Sequence, residues 1–358
     1  MVLLQCCRLQ LVLGFTKNVP VPTGSRRDQL LHVAVHPRVT FLKSTDSANT
    51  EASASAAPSA AASFVSPKFQ VYIEDTDAYG VLYNANYIRS YDRALHSMYA
   101  LQDSVTASAQ EEKLASMLDS HEDWAIVQVQ DQKFKSSPKL GGMYCVHGTL
   151  IEHEEEKEIW DLTMQDNEDK NSTIYNSARV TIARPGVYAK PKKVLLSDDG
   201  DDEKNAAAKE MTTHKDLFRL FRDEFDVHFP THIPLRNVLN LFERSRSNFL
   251  GGPDSLRKLQ EEHRLLFLVT KVDDLCKFPC VEDGDVGADS HLKAGQLVLV
   301  HTDFEVKRKG MIMEFYHTLK ANNVPVAQAT VSLMTLDADT FKPTSNLPDW
   351  LWGILHEG

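Results

Sequence analysis

Apolar positions along the chain fall into two blocks that repeat one order of patterns. From Asn86 to Leu101 the apolar side chains Tyr87, Ile88, Tyr91, Leu95, Met98 and Tyr99 recur every three or four residues, the spacing of an amphipathic helix. Lys68 to Ile73 before it is strand-like. Trp124 to Gln130, Met143 to Ile151, Glu158 to Met164 and Thr173 to Ile182 after it are β-branched and aromatic runs with partial alternation, separated by polar or glycine-containing turns, and predict four strands. The second block reads the same way. Leu217 to Phe225 predicts its first strand. Leu235 to Leu250 predicts a helix through Leu235, Val238, Leu239, Leu241, Phe242 and Phe249. Leu265 to Val272, Gln296 to Phe304, Met311 to Lys320 and Val324 to Leu336 predict the later strands. The turn Lys139-Leu140-Gly141 recurs as Lys293-Ala294-Gly295, and Tyr91-Asp92-Arg93 recurs as Phe242-Glu243-Arg244. The two spans, 69–185 and 217–337, are 117 and 121 residues long. Such self-similarity predicts a duplication of an α+β unit, in which one helix covers the apolar face of an antiparallel sheet.

Composition places these blocks within the chain. Hydrophobic residues make up 42% and charged residues 25% of 358, as in a folded globular protein of about two domains. Five cysteines are too few and too scattered for a disulfide scaffold. The formal charge of −11 is uneven: residues 1–50 carry +4 and the rest −15. The acidic body argues against coating of nucleic acid. No run approaches the roughly 20 apolar residues of a membrane span. A basic start followed by a Ser- and Ala-rich stretch to Ser63 suits a leader to a mitochondrion or plastid with a flexible linker; an untargeted tail on a cytoplasmic protein is the alternative. A second break, Ser197 to Glu210, is acidic and reads as a linker. The expected division is a leader and linker over 1–67, one unit over 68–190, an acidic linker over 191–212, and a second unit with a tail over 213–358.

The densest chemistry lies between the first strand and the first helix, in Tyr72-Ile-Glu-Asp-Thr-Asp-Ala-Tyr-Gly-Val-Leu-Tyr-Asn-Ala-Asn-Tyr87. Asp-Thr-Asp, a glycine three residues after the second Asp, an apolar-apolar-aromatic step and an Asn-Tyr entering a helix together resemble the signature of hotdog-fold thioesterases of the 4-hydroxybenzoyl-CoA thioesterase type. The resemblance covers the first block well and the second in outline, so the whole resembles a double-hotdog protein: two tandem units, each an antiparallel sheet wrapped around a helix, forming a pseudo-dimer within one chain, with further oligomers open.

The resemblance implies hydrolysis of acyl-CoA, or acyl-carrier protein, to a free fatty acid and a thiol, with no metal or other cofactor. Asp77, in the turn before the helix, is then the nucleophile or general base. The helix N-terminus, around Tyr83, Asn84 and Ala85, supplies amides for the developing oxyanion, and Gly80 lets the backbone approach the substrate. Without the motif, Asp75 and Asp77 would read as turn and helix-entry acids. Many relatives carry His where this chain has Asn84, which cannot shuttle a proton near neutrality. Lys133, Lys135 and Lys139 are candidates for the CoA phosphates, as is Lys307-Arg308-Lys309; a solvated strand face or turn explains them nearly as well. Placing Phe242-Glu243-Arg244 on Tyr91-Asp92-Arg93 sets Asp77 on His228, Gly80 on Thr231 and Asn84 on Leu235. On that register the second unit is degenerate and has lost the acid, leaving one site; Asp226 and His228 then either contact the acyl group or form a polar turn before the helix. The alternatives are a hydratase or dehydratase centred on Asp223 and His228, and a non-catalytic acyl-binding protein. Cys276, Cys280 and His291 do not complete a zinc set. Glu154 to Glu156 predicts a solvated hairpin end, and Trp350 and Trp352 predict a tail packed on a sheet.

Overall fold

The computed structural model describes residues 62–77, 80–104, 124–166, 172–184, 187, 212–226, 232–278 and 292–357. The leader, the acidic linker, His228, Thr231, Cys280 and His291 lie outside the described residues.

Alternation and β-branching produce strands, and every pairing among them is antiparallel. In chain order these are β1 (Ser63–Val65), β2 (Phe69–Gln70), β3 (Ala125–Phe134), β4 (Met143–Glu154), β5 (Lys157–Gln165), β6 (Ile174–Ala183), β7 (Thr212–Arg219), β8 (Leu265–Lys277), β9 (Leu297–Lys307), β10 (Ile312–Ala321) and β11 (Val324–Asp337). The helices are α1 (Asn86–Ser104), α2 (Leu235–Phe249), α3 (Gly252–Glu261) and α4 (Asp349–Glu357). The sheet order is β1-β4-β5-β6-β3-β8-β11-β10-β9-β7, with β2 also on β4. The class is therefore α+β. The order β1-β4-β5-β6-β3 reappears in reverse as β8-β11-β10-β9-β7. The two runs meet where β3 pairs with β8, Val129 opposite Leu275 and Gln132 opposite Val272.

α1 buries Tyr87, Ile88, Tyr91, Ala94, Leu95 and Met98, and α2 buries Leu235, Val238, Leu239, Leu241, Phe242 and Phe249. These faces share one apolar core with the sheet, and α1 touches α2. Burying a side chain of this size contributes roughly 1.5–3 kcal/mol. The β3–β8 joint adds polar ties: Lys271 Nζ lies 3.1 Å from Asp131 and 2.7 Å from Asp273. Asp131 and Asp274 both take left-handed φ, 49° and 50°, beside matching irregularities in β3 and β8.

Three elements differ from expectation. The first strand is not Lys68 to Ile73: pairing to β4 begins at Ser63, breaks around Pro67 and resumes at Phe69–Gln70. The linker therefore does not extend to residue 67. Phe64 drives this. Its ring packs edge-on against Trp160 at 5.3 Å and lies over Gly148, where a Cβ would come within 2.0 Å of it. The second block's first strand is Thr212–Arg219, and Leu217 to Phe225 instead ends in a 3-10 turn over Arg222–Glu224. Helix α3, rich in charge, was not foreseen. The tail forms α4, which touches β7, while Trp350 Nε1 donates to His263 at 3.1 Å. Glu155 and Glu156 make the β4–β5 turn, and Gly141 and Gly295 take left-handed φ in their matching turns.

Candidate active site

The segment before α1 is built around Asp75. A 3-10 turn over Ile73–Asp75 buries that carboxylate, whose Oδ2 accepts the Tyr72 amide at 3.2 Å and whose Oδ1 lies 3.3 Å from Arg89 Nη1. Its carbonyl accepts the Tyr83 amide at 2.9 Å and the Asn86 side chain at 3.1 Å. Asp75 thus fixes the entry to the helix. Asp77 follows in a tight turn. Its amide donates to Val81 O at 2.9 Å, and its Oδ1 accepts the Val81 amide at 3.3 Å. Gly80 makes the turn feasible with φ +69°, a conformation that disfavours any Cβ. The turn is clamped to the β3–β4 connection: Leu82 donates to Pro138 O at 3.0 Å and Leu140 to Gly80 O at 2.9 Å. Exposed Lys139 therefore stands beside the Asp77 turn. Lys133 and Lys135 do not join it. Both are exposed; Lys133 precedes Phe134, which packs on Tyr87 of α1, so by the strand's pleat Lys133 faces away from the helix, and Lys135 lies just beyond the end of β3.

The helix start reaches across to the other half. Tyr83 Oη donates to Glu243 Oε2 at 2.7 Å, and Asn84 Nδ2 donates to the same oxygen at 3.1 Å. Two corrections follow. The Tyr83 amide is committed to Asp75, so only Asn84 and Ala85 offer amides for an oxyanion. The functional group of Tyr83 is its phenol, which burial and the Glu243 charge push well above the ordinary range. Asn84 Oδ1 is buried and has no hydrogen-bond partner among the described residues. Leaving such an acceptor unmet costs about 1–3 kcal/mol, so a donor placed there is favoured.

Glu243 is held from behind by Arg246, 3.6 Å away and fully buried. Burial pulls the guanidinium below its ordinary value, opposed by Glu243. Arg246 Nη1 lies 3.3 Å from His317 Nε2, and burial with the adjacent guanidinium keeps that imidazole neutral. Its Nε2 therefore accepts, and its Nδ1 donates to Thr302 Oγ1 at 2.9 Å. Ser245 contacts Thr302 at 3.1 Å and donates to Asp216 at 2.7 Å. A buried polar chain thus runs from Glu243 to strand β7.

The second half repeats the turn with a different register from that expected. Phe221 N donates to Glu224 Oε2 at 2.9 Å as Tyr72 N does to Asp75, and Asp226 N donates to His232 O at 2.8 Å as Asp77 N does to Val81 O. Asn237 Nδ2 donates to Glu224 O at 2.7 Å as Asn86 does to Asp75 O. Asp77 therefore corresponds to Asp226, not His228. Three residues separate Asp77 from Val81 and five separate Asp226 from His232, and this difference hid the match. The second half carries a carboxylate at the matching place of its turn. Asp223 is exposed on the 3-10 turn.

No protein-family model matches this chain, and no curated protein matches it. Among solved structures it is similar to a putative oleoyl thioesterase from Lactobacillus plantarum at 11% identity and TM-score 0.48, over 77% of this chain and 98% of that one. It is also similar to an acyl-ACP thioesterase from Bacteroides thetaiotaomicron VPI-5482, at 10% and 0.47 over 76% and 97%. A third is a 12:0-ACP thioesterase from Umbellularia californica, at 11% and 0.46 over 76% and 94%.

Sequence reasoning missed Glu243 and Arg246 as members of such sites, and it reached Asp226 as an acyl contact or turn residue, not as the counterpart of Asp77. Glu243 was visible as the acid of the recurring Tyr91-Asp92-Arg93 step. Asp226 was visible as the acid following Asp223-Glu224, as Asp77 follows Glu74-Asp75. Among the described residues no cluster of His, Cys, Asp and Glu could hold a metal ion, and no helix is long and apolar enough to cross a membrane. Cys276 is buried, and desolvation raises its thiol.

Proposed function

We propose that this chain hydrolyses acyl thioesters of coenzyme A or acyl-carrier protein, at a site between two tandem hotdog units spanning about 63–190 and 212–358. The observation that carries the reading is the convergence at the start of α1. Asn84 and Tyr83 of one half hold Glu243 of the other, next to the turn that presents Asp77. Two carboxylates, two open amides and an unmet amide oxygen are what water attack on a thioester uses. Water donates to Asn84 Oδ1 while Asp77 or Glu243 takes its second proton. The carbonyl oxygen, gaining charge, meets the amides of Asn84 and Ala85 and the positive end of α1. The tetrahedral species collapses with loss of thiolate. Residues 1–67 are proposed to include a leader to a mitochondrion or plastid, with the cytoplasm as the alternative.

Thiol release from a panel of acyl-CoAs tests the site. Asp77→Asn lowers the contribution of this site on the order of 10²–10⁴ fold, and Glu243→Gln lowers it in the same direction. Undiminished release in both variants rejects it.

A further inference from the structure

The second turn bounds a cavity. Asp226, His232, Pro234, Leu235 and Arg236 of the second half face Ile88, Arg89 and Asp92 of α1 and Ala125 and Ile126 of β3, around a cavity of about 80 Å³ that opens to solvent. Its parts correspond to those of the Asp77 site. Asp226 stands for Asp77, the amides of Leu235 and Arg236 stand for those of Asn84 and Ala85, and Asp92 on α1 stands for Glu243 on α2. Pro234 caps α2 without a capping side chain, so the first amides of that helix remain open.

The surroundings differ in charge. Lys277 follows the left-handed Asp274 of β8 by three residues, as Phe134 follows Asp131 of β3. An amine thus replaces a ring. Lys277 Nζ lies 2.8 Å from His232 Nε2, where the first site has Val81. Asp226 acts electrostatically on His232, Lys277, Arg236 and His96. Arg236 and Arg89 line the cavity together with the carboxylates of Asp92 and Asp226, and the two guanidiniums are what a phosphate-bearing ligand would meet. Ile88, Ile126 and Leu235 supply an apolar wall for an acyl chain.

We propose that this cavity is a second acyl-thioester site of the same chain, hydrolytic through Asp226. It rests on the thioesterase reading of the first site. Water adds to the carbonyl carbon while Asp226 takes its proton. Charge on the carbonyl oxygen is met at the start of α2. The C–S bond then breaks, and the thiolate recovers the proton from Asp226, leaving a free acid and a thiol.

Two measurements on the full chain decide it: thiol release from acyl-CoA by wild type, Asp77→Asn, Asp226→Asn and the double variant, and calorimetric stoichiometry for a non-hydrolysable acyl-CoA thioether. The expected result is two thioethers per chain, release remaining in each single variant, and release lost in the double variant. Arg236→Glu, a surface-reaching change that spares the turn, reduces the stoichiometry to one. One thioether per chain, with Asp77→Asn abolishing release and Asp226→Asn leaving it unchanged, overturns the second site and leaves the first standing. Release that survives Asp77→Asn undiminished but vanishes in Asp226→Asn supports this site and removes the first. No release and no thioether binding in wild type overturns both.

Discussion

At the residue scale, Lys277 is the most exposed to a change of conditions despite being buried. Desolvation lowers its amine to about 7, opposed by Asp226, whereas an unfolded chain holds the proton to about 10.4. Between these values the unfolded state binds more protons, so stability rises with pH. Below about pH 7 the cost of burying the charge is fully present. Lys277→Met removes it. The expected outcome is a higher Tm for the variant at pH 6–7, with the advantage shrinking as pH approaches 10. An advantage independent of pH, followed by calorimetry across that range, contradicts a buried titrating amine. His232 behaves differently: burial and Lys277 lower it to about 4, so it stays neutral in the fold at neutral pH. Its contribution is lost as pH falls from about 6.5 toward 4. These two side chains were not legible from pattern, because they come from a strand and a turn that only the bulge at Asp274 brings together.

At the element scale, the helices and most strands were legible because their periods are strong. The apolar stripe of α1 buries Tyr87, Ile88, Tyr91, Leu95 and Met98 as its spacing requires. The misplaced elements were short or ambiguous. β1 hides in a Ser- and Ala-rich stretch, and three residues carry no period. It is held by Phe64 in the space that Gly148 leaves. Gly148→Ala puts a Cβ into that ring, and overpacking of this kind costs about 1–3 kcal/mol. The expected result is a lower Tm together with faster proteolysis on the N-terminal side of β2; unchanged values for both would show that β1 is not held by this contact. Asp75→Ala reaches the site through the same logic. It removes the acceptor of the Tyr72 amide and the partner of Arg89, an effect of about 1–3 kcal/mol. Thiol release should fall with the turn's order while the start of α1 remains in place, and substitution by Glu, the residue found at Glu224, should restore part of it.

At the scale of the molecule, the near-equal halves suggested two copies of one unit, and the seam argues that the copies unfold as one. β3 and β8 pair directly, α1 and α2 touch, and a single apolar core includes residues of both halves. Each candidate site takes groups from both sides, Glu243 from the second half at one and Asp92 from the first half at the other. The four tryptophans report on this separately. Trp124 and Trp160 are buried in the first half, and Trp350 and Trp352 sit on α4 beside β7. A chain keeping only the first pair, with Trp350→Phe and Trp352→Phe, follows the first half in denaturant; one with Trp124→Phe and Trp160→Phe follows the second. Coincident midpoints and slopes are expected, as for a single cooperative transition. The shared core requires it: separating β3 from β8 exposes Val129, Val272 and Leu275, each fully buried, at a cost of roughly 1.5–3 kcal/mol apiece. Against a typical total stability of about 5–15 kcal/mol, a folded half standing alone would forfeit much of its margin. Two resolved midpoints would instead mean that the sites lie between separable units, and release should then disappear at the lower one.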